Sequence, residues 1–142
     1  HSHVRFEIER DLIRGELEVS EVPAVWNDKY EEYLGIQPDS DAEGCLQDIH
    51  WCHGAFGYFP TYTLGSVLAA QLDGAIREEI PLDERIRAGK FDPLREWLGE
   101  HVHRHGSRYT TPELIREATG EPFTADDFLA YVEGKYRSLY GC

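Results

Sequence analysis

Glycine and proline cut this chain into short segments, and inside most of them the apolar residues recur at helical spacing. There are no alternating β-branched runs and no Asn-Gly hairpin signals, so the pattern argues against strands. Val4, Phe6, Ile8, Leu12 and Ile13 predict a helix over 4–14 that stops at Gly15, with Arg5, Glu9, Arg10 and Asp11 filling the gaps. Ser20 is a good cap for a second helix with Pro23 in its first turn. That helix should bury Val22, Val25, Trp26, Tyr30, Tyr33 and Leu34 and end at Gly35. A loop over 36–43, marked by Pro38, Asp39, Ser40 and Asp41, leads into the segment 44–62. A long helix over 63–80 comes after it, rich in small residues (Gly65, Ser66, Ala69, Ala70, Gly74, Ala75) and ended by Pro81. A short helix over 82–88 comes next, then an amphipathic one from Phe91 to Val102 that Gly106 closes. Thr111 and Pro112 open a helix that runs to Gly120. The last helix opens at 124–127 and carries Phe128, Leu129, Val132, Tyr136 and Leu139 on one face. The expected class is all-α, with six to seven packed helices. Their apolar faces are wide for 142 residues, which points to packing on further protein.

Charge narrows the function classes. Asp and Glu number 27 against 14 Lys and Arg, a net charge of −13. Such a chain repels phosphate backbones, so no nucleic-acid partner is expected. The acids are spread along the chain rather than gathered in a tail, and with only three Lys they fit a protein adapted to high salt. No apolar run reaches the roughly 18 residues that span a bilayer, so no membrane partner is expected. Three cysteines without a C-x-x-C spacing form no disulfide framework, which favours a reducing, cytoplasmic compartment. Cys45 and Cys52 read as small buried residues. His1 and Ser2 read equally well as a tag remnant, and nothing rests on them.

The chemistry concentrates in GCLQDIHWCHGAFGYFPTY, residues 44–62. Two His, an Asp, a Gln and two Tyr lie there among aromatics and glycines. Each buried polar group without a partner costs roughly 1–3 kcal/mol, so such a mixture suits the wall of a pocket better than a core. The other reading is a satisfied structural network. His50 and His53 can donate hydrogen bonds or shuttle protons. Tyr58 and Tyr62 offer neutral O–H donors suited to a tetrahedral intermediate. Gly54 and Gly57 would let the backbone approach a substrate, and Pro60 would kink or break a helix just before Tyr62. There is no H-E-x-x-H, no G-x-S-x-G and no phosphate-binding glycine loop. The segment therefore has groups that stabilise a transition state and none that generates a nucleophile.

The run Gly44-Cys45-Leu46-Gln47-Asp48-Ile49-His50-Trp51 resembles the G-x-x-Q-D-x-H-W signature of the thermostable (Taq-type) metallocarboxypeptidases. Gly54 to Tyr62, Leu64-Gly65 and Ala69-Ala70-Gln71 resemble the family's residues C-terminal to that signature, and His3 with Arg5-Phe6-Glu7 its residues N-terminal to it. Trp97-Leu98, the His103–Gly106 run and Thr119-Gly120-Glu121-Pro122 resemble its C-terminal helices. The resemblance implies a mostly helical, metal-dependent exopeptidase of peptide substrates, active as a homodimer. It also implies a divalent metal, zinc or cobalt, held by an H-E-x-x-H pair of His and a downstream Glu. Those ligands would lie before the matched region. Residues 1–142 would then be the C-terminal helical region of a larger metallopeptidase fold, without the N-terminal part and with no metal ligand of its own. On this reading His50, Tyr58 and Tyr62 are the catalytic candidates, and Gln47, Asp48 and His53 the substrate-binding ones, with Gln47 and Asp48 orienting His50 or holding the local backbone. Trp51 is assigned to packing.

Two further readings stand beside this one. His101, His103 and His105 could form a metal site, but near a helix end they serve better as cations complementing its dipole. The whole chain could instead be a non-catalytic helical interaction or dimerisation module, in which case the polar cluster at 44–62 would have no role.

Overall fold

The computed structural model describes residues 1–141, and the chain divides into two compact units, His1–Leu64 and Gly65–Cys142. Seven α-helices and no strand occur among the described residues.

In the first unit, α1 (Ser2–Arg14) and α2 (Val22–Leu34) both stop at a glycine in the left-handed region, Gly15 and Gly35. Ser20 does not cap α2. It lies within a 3-10 turn, Val19–Glu21, whose start is fastened by the Glu18 N–H donating to Glu21 Oε2 at 2.9 Å. Val4, Ile8, Val22, Trp26 and Cys45 make the core, with Leu12, Leu17, Val25, Tyr30 and Trp51 packed around it. Tyr33 and Leu34, expected inside, are exposed because they fall on the last turn of α2. Glu7 instead ties that turn to α1: Lys29 Nζ donates to its Oε2 at 2.8 Å and the Tyr33 hydroxyl at 3.0 Å.

The sequence pattern put Arg5 and Glu9 among the gap-filling charges. Both are buried, on the same face as Ile8. They sit at i and i+4, with Ile8 between them in the helical period, so the inner face of α1 carries two charges. Cys52 also departs from expectation: Cys45 is buried and Cys52 is exposed.

Helix α3 spans Phe59–Glu79, beginning four residues before the expected start at 63. Pro60 is its second residue, so it opens the helix rather than kinking it; a proline there lacks only an N–H that has no partner in a first turn. Residues 59–64 of α3 belong to the first unit.

The second unit holds the rest of α3, then α4 (Leu82–Arg87), α5 (Asp92–His101), α6 (Thr111–Thr119) and α7 (Asp126–Tyr140). Ile76, Leu82, Trp97 and Ala118 form its core. The buried Gln71 on α3 bonds to the 122–124 loop in both directions, donating to the Pro122 carbonyl at 2.8 Å and accepting from the Thr124 N–H at 3.3 Å. Thr110, one residue before the expected cap, starts α6, its N–H donating to Glu113 Oε2 at 2.8 Å. No residue of α7 is buried, and Leu129, Tyr131, Tyr136, Leu139 and Tyr140 are exposed.

Candidate active site

Between α2 and α3 the backbone makes two short 3-10 turns, Cys45–Gln47 and Trp51–His53, with Asp48, Ile49 and His50 between them. Gly54 (φ 72°) and Gly57 (φ 79°) come next. Their left-handed conformation requires glycine by itself, since a side chain there is strained even with open space beside it. Tyr58 stands just before α3, and the first turn of that helix carries Phe59 and Tyr62, so all three meet His50.

His50 is the centre of the arrangement. Its ring stacks on Tyr58 at 5.8 Å, tilts over Phe59 at 4.7 Å and meets Tyr62 edge-on at 6.1 Å. Its Nε2 lies 3.2 Å from the Tyr62 hydroxyl. Tyr58 and Tyr62 also contact each other, T-shaped at 5.3 Å. Both tyrosines are about half exposed, at 48% and 47%, so one imidazole and two phenols reach solvent from a single cluster. Phe59, which supports them, is buried.

Asp48 lies on the inner side of the cluster, with its side chain 2% exposed. A carboxylate so buried needs charged or hydrogen-bonding partners on both oxygens. Oδ1 accepts from the Trp51 N–H at 2.8 Å. Oδ2 accepts from Arg5 Nε at 3.0 Å and faces His50 Nδ1 at 3.6 Å. Glu9 accepts from Trp51 Nε1 at 3.3 Å. Burial pushes the Glu9 carboxyl up; the Trp51 bond opposes this and the nearby charge of Asp48 adds to it. Trp51 packs as the sequence reading assigned it, against Trp26, Phe56 and Phe59.

The remaining candidates lie apart from this cluster. Gln47 is exposed, and its amide donates to the Ala42 carbonyl of its own loop. His53 is exposed at the end of the second short turn. Arg5 and Glu9 were missed by sequence reasoning. The available signal was two charges at i, i+4 in phase with Ile8.

In the second unit, α5 ends at His101, and His103–His105 form a separate 3-10 turn. His101 stacks on Trp97 at 4.3 Å, with Nδ1 3.0 Å from the Trp97 carbonyl, whereas His105 packs on Tyr109 at 5.2 Å. These imidazoles engage separate neighbours. Among the described residues no three His, Cys, Asp or Glu side chains converge as a metal cluster would.

A family model described as Carboxypeptidase Taq (M32) metallopeptidase matches residues 1–136. Carboxypeptidase 1 of Bacillus subtilis is 45% identical over 141 residues, 99% of this chain and 28% of its own length. Thermostable carboxypeptidase 1 of Pyrococcus furiosus is 45% identical over 96% of this chain, again 28% of its length. The crystal structure of an M32 carboxypeptidase from Deinococcus radiodurans R1 superposes with a TM-score of 0.93 at 42% identity, covering 100% of this chain and 29% of that one. The chain thus spans little more than a quarter of the relatives it matches.

Proposed function

The chain belongs to the carboxypeptidase Taq (M32) metallopeptidase family, and on that premise we propose that it is the C-terminal portion of a metal-dependent carboxypeptidase. The parent enzyme releases single residues from peptide C-termini. The observation that carries this reading is that His50 meets Tyr58 and Tyr62 in one cluster whose two phenols are exposed.

His50 is the donor that meets the substrate carbonyl or the oxyanion formed from it, and the two phenols are its companions. Preorganised donors of this kind act where charge develops, and removing one costs roughly 10²–10³ in rate. Asp48 works from behind: its oxygens are committed inward, so it holds the imidazole rather than the peptide. Gln47 and His53, both exposed, are assigned to the substrate's flanks. The side chains of the described residues do not fit a metal centre. The divalent metal, zinc or cobalt, belongs with ligands in the part of the parent enzyme beyond these 142 residues. We assign the parent to the cytoplasm as a homodimer.

Incubating the parent enzyme with one peptide in its free-acid and C-terminally amidated forms tests the reading. Stepwise release of single residues from the free acid alone, abolished by a chelator and restored by added zinc or cobalt, is expected. The 142-residue chain alone should release nothing. Equal cleavage of both peptides, or internal cleavage, would contradict the assignment.

A further inference from the structure

Arg5 lies beneath the cluster and takes no part in the chemistry above. Its side chain is 10% exposed, and a buried guanidinium in a helical core is seldom more stable than an apolar residue of similar volume. Its surroundings fix it closely. Cζ lies 4.6 Å from the centre of the Trp26 ring and 5.5 Å from that of Phe59, contacts that favour a planar cation. Nε donates to Asp48 Oδ2 at 3.0 Å. That same oxygen stands opposite His50 Nδ1 at 3.6 Å, while Oδ1 is held by the Trp51 N–H. The carboxylate is therefore fixed at both ends.

We propose that Arg5 is a positioning residue for His50, acting through Asp48. Clamped between Trp26 and Phe59, the guanidinium keeps Oδ2 opposite Nδ1. The negative charge of Asp48 opposite Nδ1 fixes the ring's orientation, with Nε2 turned outward to the Tyr62 hydroxyl. This rests on the assignment of His50 above.

The test is a set of steady-state measurements on the parent enzyme. Arg5→Met is expected to lower kcat by roughly 10–100-fold, with KM changed by less than about threefold. Arg5→Lys keeps a cation near the Cζ position and recovers most of that loss. In an Asp48→Asn background, Arg5→Met adds less than about threefold, because coupled residues are not additive. Wild-type kcat in both Arg5 variants, or full multiplication of the Arg5 and Asp48 effects, overturns the proposal. If Arg5→Met yields no folded enzyme, Arg5→Gln, which keeps a polar side chain but removes the cation, replaces it in the same cycle with Asp48→Asn, with the same two outcomes. A His50→Ala enzyme of unchanged rate would remove the functional assignment itself. A slow His50→Ala enzyme beside Arg5 variants of normal kcat would remove Arg5 alone.

Discussion

Glu9 and Asp48 are two buried carboxylates, and they are satisfied unequally. Asp48 receives a bond from Arg5 and a backbone N–H, whereas Glu9 has the indole N–H of Trp51. Burial raises the Glu9 carboxyl, so the folded protein binds that proton more readily than the unfolded chain. Stability from this group must then decline as pH rises through the window just above the ordinary value of 4.5. Glu9→Gln removes the decline: in urea titrations the variant should gain on the wild type from pH 4.5 upward, and parallel curves would refute the assignment. Residues of this kind were the hardest to read. The segment 44–62 was legible because its chemistry is contiguous, and His50 and Tyr62 meet across one turn-rich link. Arg5 and Asp48 lie 43 positions apart, and only folding shows that the charge on α1 faces inward.

At the scale of elements, Glu7 works in the opposite sense to Glu9 on the same helix. The Lys29 hydrogen bond lowers its carboxyl, partial burial opposes this, and the Tyr33 bond adds to the lowering. The stabilisation is complete above the unfolded value of 4.5 and is lost as pH falls through the lower, folded value. Wild type should therefore exceed Glu7→Gln by about 1–2 kcal/mol near neutrality, with the gap closing below 4.5. A gap that persists in acid would show that the contact acts by shape. The α1–α2 pair was legible as elements from its apolar period and its terminal glycines. The starts of helices were read less well, at Ser20, Pro60 and Thr111. A cap residue or proline specifies a helix start only to within a few positions, and the neighbouring bonds, such as Glu18 with Glu21 and Thr110 with Glu113, select one.

Over the whole chain, two features stem from composition. The net charge of −13 produces self-repulsion that salt relieves within a Debye length of about 3 Å at 1 M. Unfolding midpoints should accordingly rise between about 0.1 M and 2 M salt, and a fall would remove the reading of adaptation to high salt. The exposed apolar side chains of α7 agree with the wide helical faces seen in the sequence. The all-α class was legible because helical periodicity survives without any knowledge of partners. The site's inner support was not, because it depends on which faces meet. The roles of His50 and the tyrosines beside it are read from kcat/KM of the parent enzyme on a free-acid peptide after His50→Ala and, separately, Tyr58→Phe. Each should fall by roughly 10²–10³, and wild-type values in both would contradict the account.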